Sequence, residues 1–273
     1  MIYYFTGTGN SQAAAGFFSS RMGEDMKSMA EAVRKKDFSC EIGENETLGL
    51  VFPVYYWGLP TVVVHFLSRL KLSGKKPYVW AVITCGSSTG AADRQLKAVG
   101  KKAGIEVNAV FSLVMPDNFV PMFRAPEEKQ VKEILAKADV RMEEILKEIR
   151  RRGSGEESKA KDLMLSASMQ ALYRNGRKTA RFTVDDTCIG CGQCASFCPV
   201  GAIEMVGGRP SWKKERCAFC MGFIGHVREQ RERTDAGAVP FGIRQGYLRE
   251  ALAVIFLRMG RTEVQASADA HRL

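Results

Sequence analysis

Phe5-Thr6-Gly7-Thr8-Gly9-Asn10-Ser11 sits where an opening apolar run, Met1 to Phe5, gives way to a helical pattern. Three hydroxyls and two glycines at a strand-to-helix turn suit a phosphate. Thr6, Thr8 and Ser11 supply neutral donors, and the glycines, Gly9 among them, let backbone N–H groups curl around an anion at a helix N-terminus. The turn is not a nucleotide P-loop, because no lysine follows the second glycine. Nor is it a dinucleotide fingerprint, because Gln12 stands where a third glycine belongs.

Working outward, apolar runs predict strands at Met1–Phe5, Met26–Met29, Leu48–Pro53, Val79–Thr84 and Val107–Val114. Helical spacing fills Ser11–Arg21, Pro60–Leu70 and Gly90–Ala103 between them. The runs are continuously apolar rather than alternating, as in strands covered on both faces. This alternation predicts an α/β fold, a doubly wound parallel five-stranded sheet. Pro126–Arg152 reads as a charged amphipathic helix with Val131, Ile134, Leu135, Ile145 and Leu146 on its apolar side. Asp162–Gly176 reads as a further helix, and a domain boundary is expected near residue 180.

Two more segments follow predicted strands: Pro53-Val54-Tyr55-Tyr56-Trp57-Gly58 and Thr84-Cys85-Gly86. Ligands of open α/β sheets bind at such carboxyl ends. Thr6-Gly7-Thr8-Gly9-Asn10-Ser11 resembles the flavodoxin phosphate loop, with Ser11 in its last place. That resemblance implies bound FMN: the phosphate on Thr6, Thr8, Gly9, Asn10 and Ser11, an aromatic from Tyr55, Tyr56 or Trp57 stacked on the ring, and the Thr84–Gly86 loop at its polar edge. Which aromatic stacks is left open.

Cys188-Ile-Gly-Cys191-Gly-Gln-Cys194-Ala-Ser-Phe-Cys198-Pro199 has the C-x2-C-x2-C-x3-C-P spacing with which bacterial ferredoxins wrap a [4Fe-4S] cubane. The flanks, Phe182-Thr183-Val184 and Gly201-Ala202-Ile203-Glu204, look like the strands of a small α+β ferredoxin-like domain. Together with the first domain, the match is to flavodoxin–ferredoxin fusions, which implies electron transfer between FMN and a [4Fe-4S] cluster. A second motif opens at Cys217-Ala-Phe-Cys220, but Phe223, Val227 and Arg228 stand where its remaining cysteines and proline belong. In two-cluster ferredoxins the fourth cysteine of each run serves the other cluster. Cys188, Cys191 and Cys194 would then hold one centre and Cys198, Cys217 and Cys220 the other, each one ligand short. One cluster is expected and the second is doubtful; His226 is a candidate nitrogen ligand beside the vacant position.

Every lysine lies at or before Lys214, and beyond Phe223 the basic residues are arginines apart from His226 and His271. A reading-frame change near codon 223 would account for both the lost ligands and the altered composition. The organisation expected is a flavodoxin-like domain over 1–152, a helical linker over 153–180, a ferredoxin-type domain over 181–230 and a divergent tail over 231–273, where Tyr247–Met259 has helical spacing.

The formal net charge is +10, yet the chain has no zinc-finger histidine pair, no helix-turn-helix signature and no aromatic-and-basic groove motif. No nucleic-acid partner is expected; the charge suits an acidic redox protein or a small electron donor or acceptor. The opening residues carry no signal-peptide pattern and the apolar stretches are too short to span a bilayer. A cytoplasmic protein without a membrane partner is expected, and clustered thiols there favour metal or Fe–S ligation over disulfides. Two other classes remain open: an FMN-binding flavodoxin-like protein with a non-functional ferredoxin module, and a zinc-stabilised interaction module. No catalytic acid or base is readable.

Overall fold

A computed structural model of the chain describes residues 1–44, 46–117, 119, 126–184, 186, 188–222 and 241–243. The first strand, β1 (Ile2–Tyr4), leads into α1 (Asn10–Met22), followed by β2 (Met26–Ser28), α2 (Met29–Lys35), β3 (Ser39–Ile42) and β4 (Thr47–Pro53). Then come α3 (Thr61–Leu67), β5 (Lys71–Gly74), β6 (Tyr78–Cys85), α4 (Ala92–Lys102), β7 (Ala109–Val114) and α5 (Glu128–Arg150). The central sheet has five strands in the order β2-β1-β4-β6-β7, all parallel. Counting only the strands of this sheet, the order is 2-1-3-4-5, that of the flavodoxin-like doubly wound fold.

Burial explains why these segments are strands. All eight residues of β6 and six of the seven in β4 are buried, so their side chains feed two apolar layers. Tyr3, Phe5, Leu50, Phe52 and Ile83 pack with Phe66 of α3 and Leu96 of α4 on one face. Ile2, Val51, Trp80 and Phe111 pack with Phe18 of α1 and Ile145 of α5 on the other. Gly49 faces the second layer because Trp80 fills the space: a Cβ there would lie 2.7 Å from the indole Cη2. The Trp80 indole N–H donates to Thr47 Oγ1 at 2.8 Å.

The expected strands and helices are found within a few residues of their predicted limits, with three additions. A short parallel pair, β3 with β5, stands beside the main sheet. α2 is a seven-residue helix started by Ser28, whose Oγ accepts the Glu31 N–H at 3.3 Å. In α5 the buried stripe is Ala138, Met142, Ile145, Leu146 and Ile149. The apolar side expected around Leu135 is not covered, and Leu135 is 39% exposed.

Beyond α5 lie α6 (Asp162–Gly176), β8 (Phe182–Val184), α7 (Gln193–Ser196), β9 (Ile203–Val206), β10 (Arg209–Trp212) and β11 (Phe241–Ile243). β9 and β10 form an antiparallel hairpin closed by Gly207 and Gly208, both at positive φ, the geometry of a tight two-residue turn. β11 pairs antiparallel with β8. A third core gathers Phe182, Cys194, Cys198, Ile203, Cys217 and Phe219 around Tyr173 of α6. α6 touches both parts of the molecule. Its Ser166 Oγ accepts the Ala91 N–H at 2.8 Å, while the Tyr173 hydroxyl donates to the Ala218 carbonyl at 2.8 Å. Among the described residues, no helix is long and apolar enough to cross a membrane.

Candidate functional site

The loops after β1, β4, β6 and β7 meet at the carboxyl edge of the sheet and line one cleft. Thr6, Thr8, Asn10, Pro53, Val54, Tyr55, Tyr56, Trp57, Thr84, Cys85 and Gly86 all contribute to its wall. Gly9, Ser11 and Gly58 stand behind it. Gly9 caps α1 at φ 109°, a conformation open to glycine, and its N–H donates to Thr6 Oγ1 at 2.9 Å. The Ser11 hydroxyl is buried and shares a 2.8 Å hydrogen bond with Thr84 Oγ1, tying the first loop to β6. Asn10 Nδ2 donates to the Pro116 carbonyl at 2.9 Å and ties it to the loop after β7. Thr6, Gly7, Thr8 and Asn10 thus line the cleft where α1 begins, and a helix N-terminus favours an anion.

Tyr55-Tyr56-Trp57-Gly58 is a tight turn: Tyr55 N–H donates to the Gly58 carbonyl at 2.9 Å and Gly58 N–H to the Tyr55 carbonyl at 3.1 Å. Tyr56 and Trp57 both have positive φ, 51° and 54°. Such backbone costs of order 1–3 kcal/mol per residue and persists where its surroundings hold it. Here Gln170 Nε2 donates to the Tyr55 carbonyl at 2.6 Å. A Cβ on Gly58 would fall 2.5 Å from the same side chain. The Tyr56 ring stacks on Tyr173 at 5.5 Å, and Tyr55 meets Phe5 and Tyr173 edge-on at 6.1 Å each. Trp57 lines the cleft without a ring partner among the described residues.

Several lining residues had not been foreseen: Met115, Pro116, Asp117, Phe119, Met169, Phe219, Cys220 and Met221. The predicted strand ending at Val114 was a signal for the first of these, since its carboxyl end belongs to the same edge. No local signal marks Met169 or the Cys220 segment. Asp117 lies against the third loop, so that a Cβ on Gly86 would sit 2.5 Å from its Oδ2. Burial, with Glu156 and Asp117 nearby, pushes the Cys85 thiol up to about 12. Burial, with Cys220, Tyr173 and Cys217 beside it, holds the Tyr55 phenol well above its ordinary value.

Cys194, Cys198, Cys217 and Cys220 line one small cavity with Ile203 and Trp212. Cys194 feels Cys191 and Cys188, whereas Cys217 feels Cys198, and Cys220 feels both Cys217 and Cys198. Cys191 is exposed, while Cys194, Cys198 and Cys217 are buried and Cys220 is partly so. Positive φ at Gly190 and Gly192 turns the first run, and Gly192 caps α7. Backbone N–H groups already face sulfur: Ala202 N donates to Cys198 Sγ at 3.1 Å and Phe219 N to Cys217 Sγ at 3.2 Å. Donors of this kind stabilise ligating thiolates and tune a cluster. Burial raises the free thiols, to about 11 for Cys217 and about 12 for Cys220. Among the described residues no group of three or more His, Cys, Asp or Glu is placed to hold a metal ion. Phe223, His226, Val227, Arg228 and the helical spacing over 247–259 lie outside the described residues.

Residues 183–204 match the family described as a 4Fe-4S binding domain. No curated protein matches the chain. Among solved structures, the flavodoxin of Streptococcus pneumonia TIGR4 aligns at 14% identity, covering 50% of this chain and 93% of that one, with a TM-score of 0.29.

Proposed function

We propose that the chain is an electron-transfer protein in which FMN, held in the cleft at the sheet edge, exchanges electrons with iron–sulfur chemistry at Cys188–Cys220. One observation carries the reading: Cys220, a candidate ligand, lines the same cleft as Thr6, Thr8, Trp57 and Gly86. FMN would supply a centre that joins one- and two-electron chemistry, and a cluster would carry single electrons.

The chain's own groups have distinct tasks in this reading. Thr6, Thr8 and the first-turn N–H groups of α1 bind the phosphate with neutral donors, and the helix end adds favourable field. Gly7 and Gly86 carry no Cβ, where one would meet Tyr55 Oη at 2.8 Å or Asp117 Oδ2 at 2.5 Å, so both loops lie close against the rest of the cleft wall. Trp57 offers its indole face to the ring, since Tyr55 and Tyr56 are already engaged with other rings. The paired turn bonds and Gln170 keep that aromatic loop in one conformation. The thiols of Cys188, Cys191, Cys194, Cys198, Cys217 and Cys220 are the ligand candidates.

An acidic redox protein is the partner class that the positive chain favours. The second reading, an FMN-binding protein with a ferredoxin module that cannot load, is favoured by Phe223 and Val227 at ligand positions. Anaerobic stopped-flow reduction of the loaded chain separates the two. Flavin and cluster absorbance changing together at a rate independent of protein concentration is the expected result. A flavin change alone, or a rate proportional to concentration, overturns the relay.

A further inference from the structure

Asp93 stands in the first turn of α4 and is 6% exposed. Its Oδ2 accepts the Ser158 N–H at 3.0 Å, while Oδ1 is buried and meets no donor among the described residues. A buried carboxylate oxygen normally accepts a hydrogen bond, from the protein or from something bound beside it. The start of α4 does not use the atom: the Ala91 N–H goes to Ser166 Oγ at 2.8 Å and the Ala92 N–H to the Thr89 carbonyl at 3.2 Å. Asp93 instead lines a cavity of about 310 Å³, walled by the loop after β6, by β7 and by residues 156–162. Ser88 belongs to this wall and to that of the cleft. Hydrogen bonds hold the wall in place. Glu156 N–H donates to the Val110 carbonyl at 2.7 Å, and Glu156 Oε2 accepts the Ser112 N–H at 2.9 Å and its hydroxyl at 2.6 Å. Arg94 donates to Ser158 Oγ at 3.1 Å and to the Ser158 carbonyl at 2.9 Å. Residues 156–158 are thereby fixed between the edge strand β7 and the start of α4.

The charge of the wall says what would satisfy Oδ1. Carboxylates of Asp93, Glu156, Glu157 and Asp162 outnumber the ammonium groups of Lys159 and Lys161. Glu156 pairs with Arg141, and Glu157 with Lys97 at 3.1 Å; Asp93 has no ion pair among the described residues, where no group of acidic side chains is placed to hold a metal ion either. A cation that brings its own N–H donors meets both conditions, since it supplies charge and a hydrogen bond to one oxygen without needing a ring of ligands. We propose that this cavity binds a small primary ammonium, with an N–H donating to Asp93 Oδ1 and the hydroxyl-rich wall at Ser88 and Thr89 accepting the others. The site lies outside the flavin cleft, and it stands or falls without the proposed function.

Isothermal titration calorimetry of the full chain at fixed ionic strength tests this with three probes. The first is n-butylammonium. Tetramethylammonium keeps the charge without an N–H, and n-butanol keeps the alkyl chain without the charge. n-Butylammonium is expected to bind roughly tenfold or more tighter than either control, the scale of one hydrogen bond to a charged group. Asp93→Asn should weaken it by roughly tenfold or more for the same reason, whereas Glu157→Gln, at an exposed and already paired carboxylate, should stay within about threefold of the parent. Absence of n-butylammonium binding overturns the proposal and leaves Oδ1 to water. Equal binding of tetramethylammonium reduces the effect to general charge attraction, and tighter binding of inorganic phosphate reverses the sign of the site; each overturns the proposal. So does unchanged affinity in a folded Asp93→Asn, which would put the ammonium elsewhere. If circular dichroism shows Asp93→Asn to be unfolded, the ranking of the three probes on the parent chain decides.

Discussion

Replacing Tyr173 by Phe removes one oxygen and leaves the ring. The ring is buried at 1% exposure and stacks on Tyr56, so packing survives. The hydroxyl, however, donates to the Ala218 carbonyl at 2.8 Å and also lies 3.4 Å from the Thr61 N–H as an acceptor. Ala218 is itself 1% exposed, so water cannot replace the lost donor. An orphaned buried carbonyl costs about 1–3 kcal/mol. If that cost falls on the opening of the Cys217–Cys220 segment, its open population grows about 5- to 150-fold. Hydrogen exchange with mass spectrometry reads this at the Cys217 amide, which donates to the Arg177 carbonyl at 3.0 Å. Faster exchange there, with the β6 amides unchanged, is the expected result. Protection within about twofold of the parent would refute the claim that Tyr173 pins the cysteine turn to the first domain.

Other substitutions test the sheet and the cleft. Gly49→Ala overpacks against Trp80 and should cost about 1–3 kcal/mol, read as a lower urea midpoint; an unchanged midpoint would contradict the packing. Thr84→Val takes away the partner of the buried Ser11 hydroxyl, with an expected loss of about 1–3 kcal/mol in the same assay. Trp57→Leu removes the proposed stacking face, worth about 0.5–1.5 kcal/mol, so the Kd for FMN should rise roughly twofold to tenfold in a fluorescence titration. The Cys85 thiol titrates at about 12 in the folded chain against 9.0 for an ordinary thiol. Between those values the unfolded chain has lost a proton that the folded chain keeps, so its contribution is whole below about pH 9 and falls as pH rises through the window. Urea midpoints across that window should decline less steeply in Cys85→Ala than in the parent.

Much of the first domain was legible because its signals are local. Continuous apolar runs such as Val79–Thr84 mark doubly covered strands, and the hydroxyl–glycine loop at Thr6–Ser11 fixes where the first helix starts. α2, β3 and β5 were illegible for the complementary reason: they are short, half-exposed, and held by one cap or by each other. The cysteine spacing over Cys188–Cys198 was legible as a cluster motif, and residues 183–204 match a 4Fe-4S binding domain, since chemistry rather than packing sets such spacing. The close approach of the Gly7 and Gly222 backbones could not be read, because the two residues are far apart in sequence. The same holds for Ser11, whose hydroxyl reads as a phosphate donor until Thr84 is seen beside it. α6 carries a helical pattern, but nothing in its spacing says that Ser166 and Gln170 serve the first domain while Tyr173 serves the cysteine turn.

In the proposed function one chain holds both a flavin and iron–sulfur chemistry, with Cys220 in the wall of the flavin cleft. Flavin, iron and acid-labile sulfide per chain, measured after anaerobic purification and reconstitution, address it most directly. Flavin together with stoichiometric iron and sulfide is expected, with loss of iron in Cys194→Ser and no loss of flavin. Flavin without iron and sulfide would contradict it, leaving a flavin-binding domain joined to a ferredoxin module that does not load.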